Sequence, residues 1–359
     1  MSETAADIAA PPGRGSDAAA INAPRVSVVM PFRDAEAHIE EAIESMLDQS
    51  YRSLEVIAID DGSVDGSAAI VEMLAARDAR IRLIRSERRG FVPALNHGLA
   101  LARGEFIARM DADDASLPDR LHKQVAFLDS HPETGVVGGQ IFAVLDGNVI
   151  TPPWWINTPI EHEGIAKALR QRNSIYHPTA LLRRDVLLAA GGYRTPFTVV
   201  QDYDLWLRLV ERTRLANLPD RVLRYRFHDN QATERNHELA YLCTWVARHA
   251  ANERRGGRPD PVRGDARIDR AQVLAWGLDP AVLDTEVDWV RCSHTARMHL
   301  WRGHRFRALL AFLWLMPRHP RPFLRRLKHA LRNRLAGSRT ESLARSVVSP
   351  PSPACPASR

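Results

Sequence analysis

Short β-branched runs alternate with helix-like stretches from Arg25 to about Gly139, and this alternation is the strongest constraint on the fold. The first run, VSVVM, is followed by a stretch whose apolar residues recur at helical spacing, and LEVIAID, IRLIR and FIARM repeat the pattern. Runs that are apolar throughout are typical of strands buried on both faces. Repeated strand–helix units favour a sheet of parallel strands covered by helices. The sequence therefore predicts an α/β fold with a mostly parallel central sheet flanked by helices.

Polar segments follow three of the predicted strands at the point where each strand ends. PFRD follows the first strand, DDGS the second and DADD the fourth. In open α/β sheets, ligands bind beyond the carboxyl ends of the strands. We therefore expect a binding site at this edge of the sheet.

Two common ways of binding phosphate are excluded by the segment after the first strand. PFRDAEAH lacks the glycines of a dinucleotide-binding loop, and the chain contains no P-loop pattern. Asp111 and Asp113 offer another way, because residues two apart in extended chain project to the same side. Paired carboxylates suit Mg²⁺ or Mn²⁺, which can in turn bind a diphosphate. The alternative is that these residues, with Asp114 and Asp119, only shape the turn and start the next helix.

Three longer segments carry a family pattern: VSVVMPFRDAEAHIEEAIESMLDQSYRSLEVIAIDDGSVDGS, ALNHGLALARGEFIARMDADDASLPDRL and QDYDLWLRL. Together they resemble the family 2 glycosyltransferases, which have the GT-A fold, and the resemblance runs from about Val26 to about His228. It implies a Rossmann-like sheet and an inverting enzyme that moves a sugar from a nucleotide-diphosphate donor to an acceptor hydroxyl. The implied acceptor is a glycan or lipid-linked glycan, in the synthesis of a cell-surface polysaccharide or glycolipid.

The same resemblance implies roles for individual residues. Pro31 would line the nucleotide pocket, and Asp61 would bind the base. Asp111 and Asp113 match the DXD motif that binds metal and ribose, with Asp113 as the direct ligand of Mn²⁺ or Mg²⁺. Asp202 matches the catalytic base, although an aspartate at this position could also simply cap a helix.

Two positions depart from the family pattern. Gln201 stands where glutamate usually precedes the base, which removes a charge beside Asp202 but leaves the base itself. Asp34 stands where asparagine is frequent. Asp204, in the same predicted helix as Asp202, is expected only to complement the helix dipole.

Four further positions are candidates for the same site, each with a structural alternative. His228 lies where related enzymes present a histidine to the metal or diphosphate, or it is an exposed loop residue. His177 lines the acceptor pocket or is packed in the core. Arg88 and Arg89 reach phosphate or remain solvated.

Trp154 and Trp155 lie in a proline-rich loop and are candidates for stacking on a sugar face. Burial of both rings against the core is the alternative.

The predicted organisation places one catalytic domain between terminal tails. Its parts are a disordered tail at 1–24, a catalytic domain at 25–235, a helical basic extension at 236–336 and a disordered tail at 337–359. Within the catalytic domain, 25–139 is expected to bind the nucleotide sugar and 140–235 to face the acceptor.

The net charge of +6 belongs to the C-terminal extension. Thirteen Lys and Arg but no Asp or Glu lie between Trp289 and Thr340, so the rest of the chain is net acidic. This distribution argues against nucleic acid as a partner of the main body. The segment 301–335 combines basic residues with a leucine stripe, which favours either contact with an anionic membrane or packing on the catalytic domain.

Compartment follows from the cysteines and the N-terminus. Cys243, Cys292 and Cys355 are odd in number and widely separated, which favours a reducing compartment. The first residues show no secretory signal pattern. A cytoplasmic protein is the resulting expectation. Contact of 301–335 with a membrane would place it on the inner face, whereas packing of this segment on the catalytic domain would not.

Two other functions compete with glycosyl transfer. A metal-dependent nucleotidyltransferase shares the strand–helix pattern, but would carry a glycine-rich, lysine-bearing loop after the first strand. A non-catalytic sugar-nucleotide or carbohydrate-binding protein is the other alternative, and the presence of Asp113 and Asp202 argues against it.

Overall fold

Nine strands and ten α-helices form in the part of the chain that the computed structural model describes, namely 23–150, 157–228 and 236–302 with 304, 306, 307 and 310. The strands are β1 (Val26–Phe32), β2 (Leu54–Asp60), β3 (Ile81–Arg85), β4 (Phe106–Arg109), β5 (Ala115–Ser116), β6 (Thr134–Leu145), β7 (Asn148–Ile150), β8 (Leu181–Arg183) and β9 (Arg214–Phe227). The helices are α1 (Ile39–Leu47), α2 (Ser67–Arg77), α3 (Phe91–Leu101), α4 (Arg120–Ser130), α5 (His162–Leu169), α6 (Arg184–Ala189), α7 (Gln201–Leu209), α8 (His237–Arg255), α9 (Arg270–Ala275) and α10 (Pro280–Trp301). Trp154, Trp155, nearly all of 301–335 and all but two residues of the predicted tails lie outside the described residues.

Four parallel strands form the centre of the sheet, as predicted. β1 pairs in parallel with β2 on one side and with β4 on the other, and β2 pairs in parallel with β3. Every residue of β1 and β2 is buried, which is why these segments are apolar without alternation. The α/β class is therefore confirmed.

Antiparallel strands extend this parallel centre. β8 pairs with β4 and β6 pairs with β8, and the strand order is β3-β2-β1-β4-β8-β6-β9-β5. β7 pairs with β6 through the predicted hairpin, in which Asp146 and Gly147 have φ of 48° and 78°. Two left-handed residues in a two-residue loop are typical of the turn that suits hairpin twist.

The chain divides into two compact units. The first comprises Met1–Gln140, Ile160–Arg194 and Arg208–Arg224, and the second comprises Ile141–Pro159, Thr195–Leu207 and Tyr225–Arg359. The parallel strands belong to the first unit. The domain boundaries proposed from the sequence remain predictions.

Helices α8, α9 and α10 dominate the second unit. α8 contacts both α9 and α10 and buries a row of apolar and small side chains: Leu242, Cys243, Val246, Ala247, Ala250 and Ala251. Burial raises the pKa of the Cys243 thiol to about 12. None of the described helices has the length and apolar character needed to cross a membrane.

A buried carboxylate that accepts hydrogen bonds from three side chains stabilises the amino-terminal edge of the parallel strands. Glu55, at the start of β2, accepts hydrogen bonds from Ser27 Oγ (2.7 Å), Arg103 Nη2 (2.7 Å) and Arg82 Nη1 (3.0 Å). Burial alone would raise the pKa of Glu55, but these three donors outweigh it and the pKa is lowered. The polar groups at this edge therefore bond to one another, and the predicted site lies at the opposite edge.

Gly104 lies at this same edge, beyond the end of α3. α3 already ends at Leu101, and the Gly104 N–H donates to Ser27 Oγ at 2.8 Å. A Cβ at position 104 would lie 2.6 Å from the Ser27 nitrogen and 2.9 Å from the Val26 carbonyl carbon. Glycine is required because two backbone segments approach closely.

We predict that Gly104→Ala lowers the free energy of unfolding by about 2–3 kcal/mol, because backbone atoms of a central strand would have to move. Urea unfolding followed by circular dichroism measures the change. Gly256→Ala is the matched control, since its Cβ would meet only the guanidinium of Arg258, which can move away. Equal stability of Gly104→Ala and the parent would contradict this account.

Candidate active site

β1 and β4 stop pairing at the carboxyl ends of the parallel strands, and we call the place where they part the crevice. The chain runs from β1 to β2 and β3 on one side, then returns to the other side of β1 as β4. Such a reversal of strand order is where open α/β sheets bind ligands. The β1–β4 register ends at Val29 opposite Arg109, whereas β1 continues along β2 to Phe32.

Pro31 lies in this crevice-forming part of β1. In a strand, the backbone nitrogen of Pro31 points to the same side as the backbone groups of Val29, which is the side of β4. The Val29 carbonyl accepts the last hydrogen bond on that side, from Met110 N–H at 3.3 Å. Because the β4 register has ended there, the missing N–H of Pro31 costs no ladder bond. The structure thus places Pro31 at the edge of the crevice.

Three aspartates converge directly after β4. One carboxylate oxygen each from Asp111, Asp113 and Asp114 lies within 4.8 Å of the others, and we call these residues the acid cluster. Asp111 and Asp113 are half-buried, whereas Asp114 is only 1% exposed. Asp114, expected only to shape the turn, is the buried member of the cluster.

The donor set of the acid cluster fits a hard divalent cation. It offers oxygen atoms alone, and close carboxylates repel one another unless positive charge is near. Asp111 and Asp113 have the exposure needed to reach a cation and a bound ligand. The residues present therefore fit Mg²⁺ or Mn²⁺.

The remainder of the DADD loop belongs to the sheet and to α4. β5 pairs in antiparallel fashion with β9, which ties the loop back to the first unit. Helix α4 begins at Arg120. Asp119 precedes it, is exposed, and makes no side-chain capping bond.

Two buried arginines, not singled out from the sequence, lie next to the acid cluster. Arg109 forms an ion pair with Asp111 and lies over the Phe91 ring, 5.3 Å from its centroid. Burial would lower the pKa of Arg109, but the charges of Asp111 and Asp114 outweigh it and the pKa is raised. The signal available in the sequence was an arginine inside an otherwise apolar strand, FIAR.

Arg120 is the second buried arginine, and it bonds mainly to the backbone. Its Nη2 donates to the carbonyl oxygens of Arg109 (2.9 Å) and Ala180 (3.3 Å), and its Nε donates to Gln124 Oε1 (3.1 Å). Burial and the nearby charge of Arg109 lower the pKa of Arg120 to about 9. Its role is to join β4, α4 and the segment before β8.

His177 lies in a short 3₁₀ turn, His177–Thr179, and is buried near Arg109. Its Nε2 and the Tyr193 hydroxyl are 2.7 Å apart, and the two rings meet edge to face. Burial, followed by the charge of Arg109, lowers the pKa of His177 well below its usual value. The structure brings His177 to the polar surroundings of β4, and its contact with acceptor stays a prediction.

Asp61 orders the loop that precedes α3. Its Oδ1 accepts hydrogen bonds from the backbone N–H groups of Arg89 (2.8 Å) and Gly90 (3.1 Å). Arg88 is exposed and lies next to Gly62. If Gly62 carried a Cβ, that atom would lie 3.2 Å from the Cβ of Arg88. The loop that carries Arg88 therefore lies beside Asp61 and Gly62 at the end of β2. The binding of the nucleotide by Asp61 and Arg88 stays a prediction.

Reciprocal hydrogen bonds join the loops that follow β1 and β2. Asp34 has φ of 50°; its N–H donates to Ser63 Oγ (3.1 Å), and its Oδ1 accepts from Val64 N–H (2.9 Å). Glu36 Oε2 likewise accepts from Gly66 N–H at 3.0 Å. Asparagine and aspartate both tolerate a left-handed backbone. This explains why Asp34 can stand where relatives often have asparagine.

Asp202 lies in the second unit, in the first turn of α7, and is half-buried. Val200, two residues earlier, has φ of 62°. A β-branched residue in this region is strained, and such strain concentrates at functional sites. The start of α7 is thus set by an unfavourable backbone conformation.

Asp204 lies in the same helix turn as Asp202 and is buried. It is only 1% exposed, and its backbone N–H donates to the Val200 carbonyl. Its expected effect on the helix dipole stays a prediction. His228, directly after β9, is half-buried in the same unit. The roles of Asp202 and His228 stay predictions.

Comparison with known proteins identifies the family. Residues 27–190 match the model of glycosyl transferase family 2. The chain is 36% identical over 221 residues to the putative glycosyltransferase EpsE of Bacillus subtilis, covering 59% of this chain and 76% of that protein. It is 32% identical over 222 residues to the O-antigen biosynthesis glycosyltransferase WbnJ of Escherichia coli, covering 61% and 85%.

A solved structure supports the fold independently. S. aureus TarS, residues 1–349 in complex with UDP-GlcNAc, superposes with a TM-score of 0.51 at 16% identity, covering 80% of this chain and 89% of that one. At this identity the likeness concerns the fold, which is the GT-A fold predicted from the sequence. With a crevice at the strand reversal, an acid cluster after β4 and relatives covered over most of their length, the chain belongs to glycosyl transferase family 2.

Proposed function

We propose that this glycosyltransferase moves a sugar, with inversion, from a nucleotide-diphosphate donor to a hydroxyl of a glycan or lipid-linked glycan. The observation that carries the proposal is the acid cluster at the carboxyl end of β4, where the strand order reverses. TarS, which shares the fold, was crystallised with UDP-GlcNAc. That complex supports a nucleotide sugar as the donor class.

The cellular role is inferred from the relatives. WbnJ is named for O-antigen biosynthesis, and AmsE of Erwinia amylovora, 30% identical over 200 residues, for amylovoran biosynthesis. Both names support synthesis of a cell-surface polysaccharide as the role of this chain. We place the reaction in the cytoplasm, with the basic segment 301–335 contacting the inner face of the membrane.

The residues of the first unit would bind and orient the donor. Pro31 and Asp61 would border the nucleotide, with Arg88 reaching phosphate, and Asp113 with Asp111 would hold Mn²⁺ or Mg²⁺. The bound cation would stabilise negative charge on the departing diphosphate. We assign no direct role to Asp114, whose burial suits it to supporting the loop.

The residues of the second unit would act on the acceptor. Asp202 would take the proton from the attacking hydroxyl as general base, and His228 would support the metal or diphosphate. His177, of the first unit, would border the acceptor pocket. A single displacement inverts the anomeric centre, whereas retention through a glycosyl-enzyme would need a second carboxylate as nucleophile.

A nucleotidyltransferase is the less favoured function. Such enzymes bind triphosphate through a glycine-rich, lysine-bearing loop, whereas β1 here is followed by residues joined to the next loop through Asp34 and Glu36. Family membership favours glycosyl transfer as well.

We predict that Asp113→Asn weakens Mn²⁺-dependent binding of the nucleotide diphosphate by on the order of 100-fold, because a charged ligand of the cation is lost. Titration calorimetry with UDP and with GDP, in Mn²⁺ or in EDTA, measures it. Asp119→Asn is the matched control, being an exposed aspartate of the same segment without a capping bond. Parent-like affinity of Asp113→Asn would remove Asp113 from the site.

Asp202→Asn is expected to lower kcat by roughly 10²–10⁴-fold while leaving the KM for the donor nearly unchanged, since a general base acts on the acceptor. Transfer from a radiolabelled nucleotide sugar measures both constants. Asp204 is too buried to serve as the control. Asp185→Asn is suitable, because Asp185 is an exposed aspartate in the first turn of α6. Undiminished turnover by Asp202→Asn would refute the assignment.

Val200→Gly is expected to retain or raise the free energy of unfolding, by up to about 1 kcal/mol, while lowering kcat. Relief of left-handed strain offsets the entropy of glycine and the loss of a half-buried side chain. Val199→Gly, a buried neighbour, should instead lose about 2–3 kcal/mol. A large loss of stability in Val200→Gly would show that the strain is not present in solution.

A further inference from the structure

Arg109 is a buried cation in contact with the acid cluster. It ends β4 and is only 2% exposed. Its Nη1 pairs with Asp111 Oδ1, and its guanidinium lies over the ring of Phe91 at the start of α3. A buried charge is strongly unfavourable unless it is paired. The position therefore has an electrostatic role in addition to filling space.

We propose that Arg109 is a built-in counter-cation that holds the acid cluster in its folded arrangement before any divalent cation binds. Three carboxylates with oxygens within 4.8 Å of one another would otherwise repel and open the loop. Arg109 touches Asp111 rather than the donor, so it is a positioning residue. This inference rests on the proposed function, which assigns the divalent cation to the acid cluster.

The surroundings of Arg109 include a second buried arginine, Arg120. Arg120 Nη2 donates to the Arg109 carbonyl, which orders the end of β4. His177 is nearby, and burial together with the charge of Arg109 lowers its pKa well below the usual value. Asp111, already paired on one oxygen, would then reach a divalent cation only as a secondary ligand beside Asp113.

We expect the thermal stability of a variant without Arg109 to depend on the divalent cation. We would follow thermal unfolding of the full chain in EDTA, or in Mn²⁺ with a mixture of UDP and GDP. Arg109→Met is expected to unfold on the order of 10 °C below the parent in EDTA, because Asp111 loses its partner and the repulsion within the acid cluster is no longer offset. Mn²⁺ with nucleotide should restore more than half of that loss. Arg109→Lys, which keeps the charge but not the planar fork, should lie between the two.

Arg183→Met is the matched control for this comparison. Arg183 also lies over an aromatic ring, that of Phe106 at 5.5 Å, and donates to a backbone carbonyl, that of Leu128 at 2.7 Å. It lies opposite the start of β4 rather than its end. Its loss of stability should be the same in EDTA and in Mn²⁺. The proposal is overturned if Arg109→Met loses the same stability in EDTA and in Mn²⁺ while Mn²⁺ stabilises the parent. Arg109 would then contribute packing alone.

A double variant separates charge from packing without any metal. Arg109→Met with Asp111→Asn removes both charges and should recover at least half of the stability that Arg109→Met loses in EDTA. Where Arg109→Met yields no folded protein, a folded double variant supports the proposal and an unfolded one overturns it. A parent that does not respond to Mn²⁺ with nucleotide would contradict the proposed cation site, and the EDTA comparison would still decide the role of Arg109.

Discussion

The parallel pairing of β1 with a strand on each side is the constraint on which the site depends. The chain places β2 and β3 on one side and returns to the other side as β4, so the loops after β1 and β4 begin where these two strands stop pairing. Pro31, Asp111 and Asp113 lie at this point, and Asp61 lies at the end of the neighbouring strand β2. Pro31 is tolerated in a buried strand only because β4 has already turned away, and that same turn carries the acid cluster.

Carboxylates at the two edges of the parallel strands have different surroundings. At the amino-terminal edge, Glu55 is surrounded by Arg82, Arg103 and Ser27, and its charge is fully bonded within the protein. At the carboxyl-terminal edge, Asp111 and Asp113 retain exposure to solvent, and Arg109 forms an ion pair with Asp111. The contrast assigns stability to one edge and ligand chemistry to the other.

The sequence predicted the parallel strands and the aspartates because both signals are local. β-branched runs identify strands without tertiary information, and acidic residues at their ends can be read directly. The β5–β9 pairing could not be predicted, since two residues show no periodicity. The partners of Arg109 and the burial of Asp204 depend on which segments pack against them, and the left-handed backbone of Val200 has no sequence signal. The close contact at Gly104 likewise became visible only when β1 was placed beside it.

The mutual bonding of the loops after β1 and β2 has a thermodynamic consequence. Because Asp34 and Glu36 each hold a backbone N–H of the opposite loop, the two loops can separate only by breaking several bonds together. These hydrogen bonds hold the two loops together in the free protein. A nucleotide that binds beside them would not have to immobilise them first. Preorganisation of this kind reduces the entropic penalty of association, so affinity can come from few direct contacts.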